Sequence, residues 1–325
     1  MKRYLIYPTN FDARSYALEE PGPEWVQEAI DLHLQNRARL IESLKVELGE
    51  HDFEAKLQNF RELGTLPFSI IAHHNYLFIQ ARYAFIHGFY YPALTGACAL
   101  GERILNHLVL DLRDQFPVSS FDKKSHTRES ISDWMKAIDT LNEWNVFLDP
   151  KVRSTFEELM VLRHKSLHFN SSTLESIRGD ALSALKCLAV IIEKQFGFLF
   201  NKIIPGSTGF FFLQKAAETT PFIKFYYLGQ SAHVTPYFAM DRVDDILMVF
   251  DHQGEDFVDV TDAEFIEIFN ARSLDQLTST AVPWAKDVKV VAMLPGRIAD
   301  VRLCYDIEIP TENTPNGHES ELAAK

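Results

Sequence analysis

Cysteine is scarce in this chain: Cys98, Cys187 and Cys304 are its only thiols. Their odd number and wide spacing exclude a secreted-type disulfide framework and a CxxC metal site, and they fit a reducing compartment. Long apolar runs are also missing. The most apolar helical stretch, Leu182–Phe200, is broken by Glu193 and Lys194, so no bilayer-spanning segment is expected. The apolar run after Lys2 and Arg3 is too short for a signal peptide, and a cytoplasmic location without membrane contact is expected. Basic charge is in deficit, with 32 Lys and Arg against 45 Asp and Glu and a net charge of −13. That balance excludes a protein that coats nucleic acid through a broad basic face, because phosphate binding draws on clustered cations. One small cationic site remains compatible with it. A Gly-rich phosphate loop, a GxSxG elbow, internal repeats and low-complexity tracts are all absent from the sequence.

What is present is enough to fold. The chain's 325 residues allow two or three domains, and 46% hydrophobic content is an ordinary globular core supply. The fold class expected is multidomain α+β, with a central helical bundle followed by a small α+β domain. Residues 1–65 form an N-terminal extension, a strand at Tyr4–Tyr7 and a helix from Pro23 to about Glu50.

Residues 66–203 read as the bundle. Its helices are Phe68–His87, Pro92–Gln115, Glu129–Phe147, a fourth opening at Asp149-Pro150 and running to Phe169, and Thr173–Phe200. The fourth starts with an N-cap residue and Pro at N1, the fifth with the capping-box pattern Ser172-x-x-Glu175. Residues 204–310 form the α+β domain, of no assigned role. Strands are predicted at Phe210–Leu213, Phe222–Leu228, Ile246–Phe250, Phe257–Val260, Val288–Leu294 and Val301–Ile309, with a helix at Ala263–Ala271 capped by Thr261 or Asp262. The polar stretch 311–325 is expected to be disordered.

The fourth helix carries the chemistry. In FEELMVLRHKSLHFN, Arg163, His164, Lys165 and His168 place four cationic or titratable groups within two helical turns. His164 and His168 share a face, whereas Arg163 lies about 140° from His168 around the axis. A long guanidinium can still meet the imidazole on one phosphate at a groove edge. Metal-free RNA cleavage needs a group that moves the 2′-hydroxyl proton near neutral pH, and histidine titrates there. It also needs a fixed charge for the developing phosphorane, and arginine matches phosphate oxygens in a bidentate way. Each role is typically worth about 10²–10⁴-fold in rate.

Arg163-His164-x-x-x-His168 resembles the R-x(4–6)-H motif of HEPN domains, in which a polar residue commonly follows the arginine. The resemblance covers residues 66–200 and leaves both flanks unmatched. It implies a helical, often dimeric domain, with Arg163 and His168 catalytic and His164 supporting. It implies a metal-independent endoribonuclease of a toxin–antitoxin or anti-phage system, with RNA as substrate, a homodimer, an antitoxin or sensor partner, and no cofactor. Members that have lost activity act as nucleotide- or protein-binding modules. Arg82-x4-His87 also satisfies the bare spacing, with Tyr83 after the arginine, and reads as accidental.

Each residue also has a plainer reading. Arg163 extends the apolar stripe of Val152, Phe156 and Leu159, and could be an inward arginine paired with a carboxylate, for which Glu102 is the candidate. Lys165 is a further supporting cation. It stands where HExxH has glutamate, which disfavours a metal on His164 and His168 despite their i, i+4 spacing. His73, His74 and His107 read as packing or surface, and Cys98 as core. Phe89-Tyr90-Tyr91 and Phe210-Phe211-Phe212 could stack bases but read first as core or interface. Asp244, Asp245 and Asp251 could form a carboxylate cluster or simply acidic turns.

Overall fold

The computed structural model describes residues 1–7, 11–116, 131–167, 171–197, 201–207, 209–243, 246–252, 258–278 and 288–295. They are mostly helical, with small antiparallel sheets. The chain divides into two compact units that do not follow chain order. One unit comprises the described residues of 7–203 and 216–230, the other those of 1–6, 204–215 and the stretch from 231 onward. The extension expected over residues 1–65 is therefore split, because its strand pairs with later strands.

The first unit is built from α1 (Gln27–Leu48), α2 (Phe53–Leu63), α3 (Ala72–Ile86), α4 (Tyr90–Leu112), α5 (Trp134–Glu143), α6 (Pro150–Leu167), α7 (Ser171–Phe196) and α8 (Pro221–Tyr226). The predicted N-terminal helix starts four residues late, after a turn in which the Trp25 amide donates to the Gly22 carbonyl. The helix ends at Gly49, whose φ of 79° only glycine adopts readily. The second helix, α2, was not expected. It buries Phe53, Leu57, Phe60 and Leu63, one face at helical spacing.

α4 supplies the centre. It buries Leu94, Cys98, Leu105 and Leu112 along one line and Ala97, Gly101, Ile104 and Leu108 along another, and it packs against α3, α5, α6 and α7. α6 faces it with Val152, Phe156 and Leu159, all fully buried, as the stripe in the sequence predicts. Burying side chains of this size stabilises by roughly 1.5–3 kcal/mol each. Asp149 opens α6, its side chain accepting from the Lys151 amide at 2.8 Å.

Gly101 decides how closely α4 and α6 approach. A Cβ there would lie 2.4 Å from Leu159 Cδ2 and 3.2 Å from Trp134 Cη2. Both neighbours are buried, so neither can move aside freely.

Several expected boundaries are corrected. The helix predicted from Phe68 begins at Ala72, since Ile70 donates its amide to the Phe196 carbonyl and Ser69 Oγ accepts from Ile71. α5 covers Trp134–Glu143 rather than Glu129–Phe147. Asp133 caps its start through the Lys136 amide at 3.1 Å, and Asn145, at φ 53°, turns the chain away beyond its end. The strand predicted at Phe222–Leu228 is instead α8. Pro221 sits at N1, and Phe222, Ile223 and Tyr226 are buried at helical spacing. Tyr226 donates to Asp111 at 2.8 Å and Tyr227 to the Gly197 carbonyl at 2.7 Å, which joins α8 to the ends of α4 and α7.

Among the described residues, the second unit holds two antiparallel sheets. β1 (Arg3–Ile6) lies between β2 (Phe212–Leu213) and β3 (Ser231–Val234), with Leu5 opposite Phe212 and Ala232. β5 (Ile246–His252) lies between β4 (Ala239–Val243) and β6 (Val288–Pro295). α9 (Asp262–Asn270) carries the Thr261 capping box with Glu264. Phe212, Phe238, Phe265 and Phe269 pack ring against ring, with Phe212 and Phe269 centroids 5.1 Å apart. Phe210 joins the edge of this cluster, its centroid 5.4 Å from Phe269. The phenylalanine triple thus contributes to core, as its plainer reading expected.

Residues 258–260 form no strand. The Val260 carbonyl accepts from Arg3 Nη2 at 2.6 Å, and Arg3, 2% exposed, also reaches Asp262 at 2.6 Å. The predicted strand at Val301–Ile309 and the tail at 311–325 lie outside the described residues, as do Asp244 and Asp245.

The Gly101 contact predicts strong non-additivity. Gly101→Ala alone should cost about 1–3 kcal/mol by overpacking and Leu159→Ala alone about 2–5 kcal/mol. The double variant should lose clearly less than the sum, because truncating Leu159 vacates the space that the new methyl enters. Urea unfolding of the four proteins measures this, and simple additivity would show that the two residues do not compete for space.

Candidate functional site

Arg163 follows Leu159 by one turn of α6, so the contact at Gly101 sets its height on α4. One residue beyond Gly101, Glu102 meets it: Arg163 donates Nε and Nη2 to Glu102 Oε2, each at 3.0 Å. The guanidinium carbon sits 5.5 Å from the centroid of Trp134, the first residue of α5. Three helices therefore fix one charge. The side chains of Arg163 and Glu102 are 20% and 31% exposed, so the pair lies at the rim of the unit rather than inside it.

That burial decides the electrostatics. A fully exposed pair would contribute about 0–1 kcal/mol, whereas one broken inside a core costs about 3–5 kcal/mol. This pair falls between, and the cation–π contact with Trp134 adds about 0.5–2 kcal/mol. The Arg–carboxylate pairing expected from the apolar stripe is present with the expected partner. It leaves the arginine at the surface.

The other motif residues divide. His164 and Lys165 are exposed. Lys165 Nζ lies 3.7 Å from Asp180 Oδ1 on α7, and Asp180 also accepts from Ser176 at 2.7 Å. His168 lies outside the described residues. Arg163 and Glu102 are thus brought together, and Lys165 turns to a different helix.

Trp134 is the neighbour of Arg163 that sequence reasoning passed over. The available signal was an aromatic residue directly after an N-cap aspartate in a polar region. Its Nε1 is buried without a partner among the described residues. Asn106, four residues along α4 from Glu102, places this helix by clamping the Ile131 backbone: its Oδ1 accepts from the amide at 2.6 Å, and its Nδ2 donates to the carbonyl at 3.1 Å.

The second spacing match is structural. Arg82 is 5% exposed and donates to the carbonyls of Leu63, Gly64 and Thr65, closing the C-terminus of α2. Burial lowers its pKa to about 10, with the Asp12 charge opposing. Of the remaining candidates, His74 is 1% exposed and packs 5.8 Å from the His107 ring and 5.4 Å from Phe196. Burial lowers the pKa of His107. Cys98 is core, and burial and the Glu158 carboxylate push the Cys187 thiol up to about 12, far from nucleophilic. Asp251 is fully buried and accepts from the Thr235 amide and hydroxyl at 2.7 and 2.6 Å, a structural bond pair. Phe89 and Tyr91 are exposed, while Tyr90 packs 5.2 Å from Phe85. Among the described residues, no group of three or more His, Cys, Asp or Glu could hold a metal ion.

No protein-family model, curated protein or solved structure matches this chain. Among the described residues, no helix is long and apolar enough to cross a membrane.

Glu102→Gln should keep the shape of the pair and remove its charge. An expected loss of about 1 kcal/mol corresponds to a melting midpoint about 2–4 °C lower for a unit of this size. The same substitution should abolish most of the salt dependence of the midpoint contributed by this pair. Differential scanning calorimetry at low and high salt measures both, and an unchanged midpoint would mean that Glu102 does not hold Arg163.

Proposed function

We propose that this chain is a metal-independent endoribonuclease of the HEPN type, an effector of a toxin–antitoxin or anti-phage system, acting through Arg163 and His168. The observation that carries the proposal is an arginine of the R-x4-H motif held at the rim of the helical unit by Glu102 and Trp134. An arginine sealed in the core would have favoured a purely structural role. Fixing the guanidinium in advance lowers the cost of aligning it on a phosphate, and preorganised charge is the largest catalytic contribution in many enzymes.

The chemistry follows from the residue types. His168 takes the proton of the 2′-hydroxyl, and the resulting oxygen attacks the adjacent phosphorus. Arg163 neutralises the non-bridging oxygens as charge builds on the phosphorane. The P–O5′ bond breaks and the 5′-oxygen leaves with a proton from an imidazolium, giving a 2′,3′-cyclic phosphate and a 5′-hydroxyl. His164 and Lys165 are both exposed on the same segment, Lys165 beside Asp180, and support the approach of the RNA strand by hydrogen bonding. A homodimer would double the site and supply a second imidazole as the acid. The β-containing unit would recognise the substrate or a triggering partner, and the protein would act in the cytoplasm.

A second reading, a non-catalytic nucleotide- or protein-binding module, draws on two facts. The chain carries a net charge of −13, and Glu102 already occupies two donors of Arg163. In that reading Arg163 anchors a ligand carboxylate or phosphate without reaction.

Incubating the purified chain with total RNA in EDTA separates the two. Wild type should release fragments ending in 2′,3′-cyclic phosphate, and His168→Ala and Arg163→Ala should each be slower by about 10²-fold or more. Equal cleavage by wild type and His168→Ala, or no cleavage by either, would sink the nuclease proposal and leave the binding module.

A further inference from the structure

A second cationic site lies elsewhere in the helical unit, where no motif points. A groove of about 640 Å³ runs between the turn at residues 15–20, α1, the end of α2 and the middle of α7. It is lined by three cations, Arg37, Arg61 and Lys186, and two acids, Glu19 and Glu20. Arg37 and Glu20 neutralise each other at 2.7 Å. Glu19 is exposed, and its carbonyl accepts from the His33 ring at 2.9 Å.

Arg61 and Lys186 are different. Among the described residues, neither forms an ion pair or a hydrogen bond through its side chain, and Arg61 Nε is buried with no partner. Other arginines of this unit have their guanidinium matched: Arg14 by Asp12 and Glu47, Arg82 by three carbonyls, Arg163 by Glu102 and Arg178 by Glu62. A buried guanidinium N–H without an acceptor costs free energy that a bound anion would recover. The groove is also far larger than one inorganic anion, and its volume falls in the range of small-molecule sites. Its walls include the exposed Tyr16 ring and, on α7, Ala189 and Val190, which suit a flat or apolar body.

We infer that this groove binds an organic phosphate monoester, with Arg61 and Lys186 on the phosphate and the Tyr16 side of the groove against the body of the ligand. A guanidinium and an ammonium together match a dianionic phosphate better than a single negative charge, and charge-assisted bonds to phosphate are the strong ones. The inference does not rest on the nuclease proposal, since it uses none of the same residues.

Calorimetric titration of the full chain with phenyl phosphate, inorganic phosphate and phenol tests it. Phenyl phosphate should give saturable heat, inorganic phosphate weaker binding, and phenol none. Lys186→Gln, a change at an exposed helix position, should weaken phenyl phosphate by about tenfold, the scale of one charge-assisted contact. Arg61→Gln should abolish binding, with circular dichroism confirming that both variants fold. Lys151→Gln, outside the groove, should bind as wild type does. No saturable heat from phenyl phosphate, equal affinity in the Lys186→Gln protein, or binding of phenol as strong as that of phenyl phosphate would each overturn the assignment. Inorganic phosphate binding as tightly as phenyl phosphate would overturn the role given to the groove wall.

Discussion

The helical unit depends on one close approach. Gly101 removes a side chain from the middle of α4, and Leu159 of α6 occupies the space. A glycine inside a helix costs about 1 kcal/mol relative to alanine, so its presence there has to be offset by packing. What it permits is a tight α4–α6 seam with a fully buried Leu159 and Trp134 at its edge. Glu102 is the next residue along α4 and Arg163 the next turn along α6, so their ion pair inherits its geometry from the same seam. Packing, in this molecule, aims the charge.

Long amphipathic elements were legible in the sequence because they repeat one signal many times. The stripe Val152, Phe156, Leu159 predicted the buried face of α6, and Glu102 was readable as a partner for Arg163, although the stripe suggested an inward arginine and the pair lies at the rim. The Thr261 cap of α9 was equally local and equally visible. Short elements failed for the opposite reason. β3 and β4, SAHV and AMDRV, carry polar residues that a strand tolerates only because a neighbour pairs with it, and that neighbour is not signalled by the strand's own residues. α8 looked like a strand because its aromatic residues have high β-propensity, yet Pro221 and the buried positions Phe222, Ile223 and Tyr226 favour a helical turn on the ends of α4 and α7.

The candidate site shows a similar division. Residue types and spacing pointed to Arg163 and Glu102, and could separate the Arg163 motif from Arg82-x4-His87 only by context. Burial makes that distinction physical. Arg82 commits its donors to three backbone carbonyls at the end of a helix, while Arg163 shares one carboxylate and an aromatic face at the rim. Trp134 escaped notice because its contact with Arg163 requires a third helix to be placed first. Arg61 and Lys186 escaped for the same reason, being far apart in the chain and joined only by the packing of α2 and α7.

The net charge of −13 is a poor guide to either site. At physiological ionic strength the Debye length is about 8 Å, so an exposed charge is governed by what lies within a few bond lengths of it. Arg163 has a carboxylate at 3.0 Å, and a phosphate approaching it must share the guanidinium with Glu102 or displace it. Sharing is geometrically open to arginine, which has several donors in one plane, and would bring a negative ligand beside a negative side chain. The held carboxylate therefore orients the arginine but opposes a negative ligand, and opposes it more the more negative charge the ligand carries. A phosphorane gains more from the guanidinium than a resting diester does. In the proposed nuclease reading that gain has to outweigh the repulsion from Glu102, whereas Arg61, with no ion-pair partner among the described residues, holds no carboxylate that an incoming anion would have to displace.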